Sequence, residues 1–164
     1  SLDTTFWHTR AAIGTAETLH AANRGENITA VFINNAVYGM TGGQMAPTTM
    51  LGMKTTTSPY GRDPEFDGHP IKMSEIIGQV EGACYVERVA VNTPANIRRA
   101  KRALKKAFQN QLDGKGYSLV EILSPCPTNW KMSPVDSWKW VDDVMSKKFP
   151  LGTIKDTTGK THAD

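Results

Sequence analysis

The sequence has 164 residues, of which 39% are hydrophobic and 21% are charged. This length fits one domain of ordinary size, and the composition excludes collagen-like, low-complexity and intrinsically disordered chains. The net charge of +3 is too small to indicate nucleic acid as a partner, and no apolar run is long enough to span a bilayer. Two cysteines cannot form a disulfide framework, so we expect a protein of a reducing compartment, the cytoplasm.

Helices and strands alternate along the chain. The apolar spacing predicts, in order, a helix over 11–23, a strand over 28–33, a Gly-, Thr- and Pro-rich loop over 34–70, a helix over 74–82, a strand over 85–91, a helix over 94–112, a strand over 117–123 and a helix over 133–145. The first strand is one continuous run of apolar and β-branched residues, which is typical of a strand buried on both faces. This order predicts an α/β fold whose parallel sheet carries helices on both faces.

The long loop is the first place to look for a function. Loops of this length are uncommon unless they are functional, and ligands of open α/β sheets bind outside the carboxyl ends of the strands. The loop begins at such an end. We therefore expect the site between residues 34 and 62, together with the loop after Leu123.

The chain leaves the first strand through NNAVYGMTGGQMAPTT, residues 34–49. Asn35 offers an amide oxygen of the kind that Mg²⁺ accepts, and the segment from Thr41 to Gln44, with its glycine pair, can present N–H groups to phosphate oxygens. Asparagine and glycine are also the residues of ordinary turns. From these residues alone, a ligand-binding loop and a plain strand-end turn remain equally open.

Together with IGTAETLHAANRGENI before it and SPCPTNW at 124–130, this loop resembles the thiamine diphosphate-binding beta subunit of the 2-oxoacid:ferredoxin oxidoreductases. The likeness is greatest to the branch that acts on branched-chain 2-oxoacids such as 2-oxoisovalerate, with the 2-oxoglutarate and pyruvate enzymes as close relatives. It runs from about Ala11 to Asp156. The resemblance implies a thiamine diphosphate-binding fold, bound Mg²⁺, and oxidative decarboxylation of a 2-oxoacid to acyl-coenzyme A with electrons passed to ferredoxin.

The resemblance also implies roles for single residues. Asn35 would ligate Mg²⁺ through its side chain and Val37 through its backbone carbonyl. The other cofactor contacts would be Tyr38 and Gly39, which line the cofactor, and Thr41, Gly42, Gly43 and Gln44, which contact the diphosphate. No catalytic residue is expected in this chain, because the glutamate that activates the aminopyrimidine belongs to a partner chain in this family. The partners implied are an alpha subunit, with gamma and delta subunits in some assemblies.

The sequence departs from the family in its first residues. Phe6, Trp7, His8 and Thr9 stand where a Gly-Asp-Gly-Asp segment is expected, and the family's amino-terminal Cys-x-x-Cys region is absent. We therefore expect an incomplete chain: an atypical segment over 1–10, the C-terminal part of the cofactor domain over 11–150 and a tail over 151–164. The alternative is a non-catalytic remnant, or a module for subunit assembly, that has lost cofactor binding.

The remaining candidates are the cysteines and one basic helix. By the resemblance, Cys126 would be the last of four thiolates around a [4Fe-4S] cluster, whereas Cys84, in an apolar context, is expected to be buried and structural. RRAKRALKK, residues 98–106, is interleaved with an apolar stripe made of Ile97, Ala100, Leu104 and Phe108. This pattern predicts a surface helix, with docking of an acidic ferredoxin or of coenzyme A phosphates left open.

Overall fold

The computed structural model describes residues 15–159. In chain order the elements are α1 (Thr15–Asn23), β1 (Thr29–Asn34), β2 (Val37–Tyr38), β3 (Gln44–Met45), α2 (Pro64–Asp67), α3 (Met73–Gly78), β4 (Ala83–Ala90), α4 (Pro94–Leu112), β5 (Tyr117–Leu123), α5 (Pro127–Trp130), α6 (Pro134–Trp140), a π-helical turn (Val141–Met145), α7 (Ser146–Lys148) and β6 (Gly152–Asp156). The predicted atypical segment over 1–10, the start of the first predicted helix and the end of the predicted tail lie outside the described residues.

The main sheet has four strands in the order β1-β5-β4-β6. The three strands β1, β5 and β4 are parallel, and β6 pairs antiparallel with β4. The register sets Asn34 and Ala90 on either side of Leu123, so the carboxyl ends of all three parallel strands lie along one edge. The three predicted strands are confirmed to within two residues at each end. The fourth, β6, lies in the segment that was expected to be a tail.

Burial differs between the strands because of their positions in the sheet. The central strand β5 is buried at every residue, whereas β1 alternates between buried and half-buried residues. The prediction that β1 is buried on both faces is therefore wrong. Its apolar run reads like that of a central strand, but β1 lies at an edge and one of its faces is only partly covered.

Helix α4 covers one face of the sheet, and α1 with α3 covers the other. The predicted surface helix is confirmed, but its buried stripe is rotated from the one expected. The residues that face the sheet are Ala100, Ala103, Ala107 and Asn110, while Ile97 is 39% and Phe108 50% exposed. Small alanines let the helix axis approach the sheet, so the larger apolar residues on its flank stay at the surface.

A third apolar cluster closes the edge where the parallel strands end. It joins the long loop after β1 to the helices after β5, and its buried members are Ala36, Val37, Met50, Ala90, Leu123, Trp130, Val141, Met145 and Phe149. The predicted last helix is present as α6 and the π-helical turn. The long loop contains the hairpin β2–β3 and the short helix α2. Within 15–159, no helix combines the length and the apolar character needed to cross a membrane.

Candidate cofactor site at the strand ends

Two loops meet at the carboxyl edge of the sheet, the one after β1 and the one after β5. The backbone N–H of Ser124 donates to the Asn34 carbonyl at 2.9 Å, and the Trp130 indole N–H donates to the Asn35 carbonyl at 3.0 Å. These loops are the two that the sequence pattern singles out. They adjoin because β1 and β5 are parallel neighbours that end in register.

The turn from Asn34 to Val37 is held by its own side chains. The Asn34 amide oxygen accepts the Ala36 N–H at 3.1 Å, and the Asn35 amide oxygen accepts the Val37 N–H at 3.3 Å. Ala36 has a φ of 60°, in the left-handed region that an alanine rarely adopts. The Thr49 hydroxyl donates to the Ala36 carbonyl at 2.5 Å from the far side. The turn therefore keeps an unusual backbone shape through local hydrogen bonds.

Gly39 lies against the loop after β5. Its carbonyl accepts the Asn129 side-chain N–H at 3.1 Å, and the same amide group donates to the Cys126 sulfur at 3.2 Å. A Cβ atom at this glycine would lie 3.2 Å from the Asn35 and Asn129 amide nitrogens and from the Cys126 sulfur. The sequence carries no signal for Asn129 beyond its spacing of three residues, about one helical turn, from Cys126. The structure thus joins Asn35, Gly39 and Cys126 into one cluster.

The tip of the β2–β3 hairpin holds the glycine pair. The Thr41 hydroxyl donates to the Gln44 amide oxygen at 2.7 Å, and the Gln44 side-chain N–H donates back to the Thr41 carbonyl at 2.9 Å. The Gly43 N–H donates to the Tyr38 carbonyl at 2.8 Å. In this conformation the Gly43 N–H is therefore already bonded within the hairpin. Burial raises the pKa of Tyr38, so its hydroxyl is neutral at physiological pH.

A cavity of about 680 Å³ opens beside this cluster. Gly43 and Asn129 are among its lining residues, and Asn129 also bonds Gly39 in the cluster. Apolar walls come from Met50, Met53, Trp130 and Trp140, and the centroids of the two indole rings lie 4.4 Å apart. Lys54 and Lys131 are the cations among the lining residues. The shape and chemistry suit a ligand with an apolar body and an anionic group.

Arg62 fixes the loop that forms one wall of the cavity. Its guanidinium is buried and donates to six backbone carbonyls, at Ala46, Pro47, Thr49, Asp67, Gly68 and His69. Burial lowers the pKa of Arg62, and the nearby Asp67 carboxylate partly offsets this. One side chain therefore substitutes for the hydrogen-bonded ladder that an irregular loop lacks.

The donor set at the turn suits part of a magnesium diphosphate site. Asn35 and Val37 offer amide and carbonyl oxygens, which are among the oxygen ligands that Mg²⁺ accepts, and Gly39 and Gly43 allow close approach. For an iron–sulfur cluster, the described residues offer one thiol at this edge of the sheet, that of Cys126. Cys84 is buried near the start of β4, at the opposite edge of the sheet from Cys126. In the part of the chain that the structure describes, no three His, Cys, Asp or Glu side chains form a metal-binding group.

Comparison with protein families identifies the cofactor class. The family model described as thiamine pyrophosphate enzyme, C-terminal TPP binding domain, matches residues 9–122. The chain belongs to this family. The match includes the turn at Asn35 and the hairpin with its glycine pair, and it ends just before the loop with Cys126.

Relatives among curated proteins cluster in one group of oxidoreductases. The chain is 48% identical to the ketoisovalerate oxidoreductase subunit VorA of Methanothermobacter thermautotrophicus, over 92% of this chain and 32% of that subunit. It is 40% identical to the 2-oxoglutarate synthase subunit KorB of Archaeoglobus fulgidus, over 84% of this chain and 47% of that subunit. The chain thus spans about a third of the first relative and just under half of the second.

A solved structure shares the fold of the chain. It is the 2-oxoglutarate:ferredoxin oxidoreductase from Magnetococcus marinus, with 2-oxoglutarate, coenzyme A and succinyl-CoA bound. The TM-score is 0.69 at 23% identity, over 94% of this chain and 56% of the other. The fold expected from the resemblance, a parallel sheet of the thiamine diphosphate-binding type with helices on both faces, is confirmed.

Proposed function

We propose that this chain belongs to the thiamine diphosphate-binding subunit of a 2-oxoacid:ferredoxin oxidoreductase, and that its substrate is a branched-chain 2-oxoacid such as 2-oxoisovalerate. The observation that carries the proposal is the turn from Asn35 to Gly39, packed against Asn129 at the carboxyl edge of the sheet. The 48% identity to a ketoisovalerate oxidoreductase subunit supports the substrate class. The relatives of lower identity, a 2-oxoglutarate synthase subunit and a pyruvate synthase subunit, make 2-oxoglutarate and pyruvate the alternative substrates.

The turn would hold the magnesium and the diphosphate. The Asn35 amide oxygen and the Val37 carbonyl would supply two of the roughly six oxygens that Mg²⁺ requires. The hairpin would contact the cofactor through Tyr38, Gly39, Thr41, Gly42, Gly43 and Gln44. Because the Thr41 hydroxyl and the Gln44 amide bond each other, their contacts require that this pair opens or that its outer lone pairs are used.

Thiamine diphosphate, when bound, supplies the thiazolium ring that takes up the electron pair left by decarboxylation of the 2-oxoacid. The chain's own residues would bind and orient the cofactor and the 2-oxoacid. The apolar walls of the cavity, with Met50, Trp130 and Trp140, exclude water and suit a branched aliphatic group. Lys54 and Lys131 provide positive charge for the carboxylate of the substrate. No residue of this chain is assigned a proton transfer.

The partners follow from the same proposal. Cys126 would ligate a [4Fe-4S] cluster whose other three thiolates lie outside this chain. Coenzyme A would accept the acyl group, and ferredoxin would accept the electrons. The exposed basic face of α4 offers a docking surface for an acidic protein such as ferredoxin. The alpha subunit, with any gamma and delta subunits, would complete the assembly.

The magnesium ligand is the sharpest point to test. Asn35→Ala in the purified complex removes the amide oxygen from the turn, so we expect Mg²⁺ affinity at saturating thiamine diphosphate to fall by at least about tenfold. Isothermal titration with MgCl₂ measures it. Asn27→Ala is the matched control, because Asn27 is exposed and donates to the Gln111 carbonyl on the opposite side of the domain.

Three results are informative. Weak binding for Asn35→Ala, with normal binding for the control, supports the proposal. Unchanged binding for Asn35→Ala refutes the assignment of the turn. A complex that assembles but takes up no thiamine diphosphate, even with the original sequence, would favour the assembly module over the enzyme.

A further inference from the structure

A buried charge network lies directly beneath the proposed magnesium turn. Glu121, on the central strand β5, is 1% exposed, and Arg88, on the neighbouring strand β4, is fully buried. The Arg88 Nε donates to Glu121 Oε2 at 2.7 Å, and the Ser74 hydroxyl donates to the same oxygen. The other nitrogens of Arg88 bond the two carboxylate oxygens of Glu75, which is partly exposed. A buried carboxylate in a central strand is costly, and none of the roles assigned above uses it.

The second oxygen of Glu121 faces the turn. Glu121 Oε1 accepts the side-chain N–H of Asn34 at 2.8 Å. Asn34 is itself 1% exposed, and its amide oxygen accepts the Ala36 N–H at 3.1 Å. The Asn34 amide therefore connects the Glu121 carboxylate to Ala36, the residue of the turn that has a positive φ.

Glu121 decides which way the Asn34 amide faces. An ionised carboxylate only accepts hydrogen bonds, so the NH₂ group of Asn34 must point toward it and the amide oxygen away from it. In the flipped orientation the amide oxygen would oppose the carboxylate, and the NH₂ group would oppose the Ala36 N–H. Both contacts would be repulsive, so the flipped orientation of the amide is disfavoured at each of its two ends.

We propose that Glu121 is a positioning residue for magnesium binding: through Asn34 it holds the turn at Ala36 in the shape that directs the Asn35 amide and the Val37 carbonyl toward the metal. This inference rests on the proposed function. It adds a residue 86 positions from Asn35 that touches neither metal nor cofactor. Outer-shell partners of this kind typically affect metal affinity by about 10- to 100-fold.

An exchange of the two functional groups gives a sharp test. In Asn34→Asp, two carboxylates face each other. In Glu121→Gln, the side chain has only one oxygen, so it cannot accept both the Asn34 N–H on one side and the bonds from Arg88 and Ser74 on the other. The double variant restores every hydrogen bond, because the new amide donates to the new carboxylate at position 34 while its oxygen accepts from Arg88 and Ser74. The carboxylate at position 34 still accepts the Ala36 N–H.

The measurement is Mg²⁺ affinity at saturating thiamine diphosphate in the purified complex, by isothermal titration, beside the melting temperature. We expect each single variant to bind Mg²⁺ about tenfold more weakly and the double variant to recover to within about threefold. Glu75→Gln is the control: it loosens Arg88 at the far end of the network, so it should lower the melting temperature and leave Mg²⁺ affinity unchanged.

Single variants that bind as tightly as the original, or a double variant as weak as the singles, would overturn the proposal. If the single variants do not assemble, the double variant decides: tight binding supports the proposal, and weak binding or failure to assemble overturns it. Asn35→Ala separates this inference from the proposed function. Weak binding in Asn35→Ala with normal binding in Glu121→Gln would overturn the positioning role alone.

Discussion

Replacement of Arg62 by methionine should release the long loop between β1 and β4. Methionine keeps an unbranched apolar stem of similar reach but removes every donor. Two of the six carbonyls that lose their partner, at Ala46 and Thr49, accept bonds that are buried. The other four accept bonds that are partly buried, so water can replace the guanidinium there.

The expected loss follows from those two groups. A buried carbonyl without a partner costs about 1 to 3 kcal/mol, and hydrogen bonds to a charged donor contribute about 1.5 to 3 kcal/mol each, without strict additivity. We therefore expect Arg62→Met to lower the free energy of unfolding by about 3 to 5 kcal/mol. Arg62→Lys should recover less than half of this, since one ammonium group cannot reach carbonyls on both sides of the loop.

Urea unfolding measures the loss, and amide hydrogen exchange over residues 46–69 locates it. The matched control is Arg24→Met, because the Arg24 side chain is 68% exposed and its ion pair with Glu26 should contribute less than about 1 kcal/mol. An Arg62→Met variant as stable as the control would refute the reasoning. So would a large loss of stability with unchanged exchange in the loop.

Two further outcomes are expected. Gly43→Ala places a Cβ atom 2.6 Å from the Asn129 amide oxygen at a φ of 79°, so it should displace Asn129 and weaken Mg²⁺ binding at saturating thiamine diphosphate by at least about tenfold; titration within about twofold of the original would contradict this. Burial raises the pKa of Glu75, but the hydrogen bonds from the Arg88 guanidinium outweigh it and bring that pKa below its ordinary value of 4.5. Since the folded state has the lower pKa, this stabilisation is complete above the ordinary value and is lost as the pH falls below it. Glu75→Gln should therefore flatten the loss of stability between about pH 5 and 3, and an unchanged slope in urea titrations would count against the ion pair.

Local patterns in the sequence are sufficient to predict where the three parallel strands lie along the chain. The strand at 117–123 is predicted to the residue, because a mostly apolar run that begins after two glycines and ends just before a proline has few other solutions. The position of the candidate site follows from the same patterns, since a Gly-rich loop at the carboxyl end of a parallel strand is where such sheets bind ligands. The β6 strand has no such signal. Its residues Gly152–Asp156 are exposed or half-buried at the edge of the sheet, so no apolar alternation marks them.

The sequence by itself determined the fold class, the order of the helices and parallel strands along the chain, and the loop in which the candidate site lies. The tertiary structure alone decided which residues meet there. Asn129 contacts Gly39 across 90 positions, Glu121 bonds Asn34 across 87, and Arg62 gathers carbonyls that no motif connects. The physical reason is that periodicity records which face of an element is apolar, whereas a hydrogen bond between distant polar groups depends on register and helix placement. Those are settled only when the sheet is assembled.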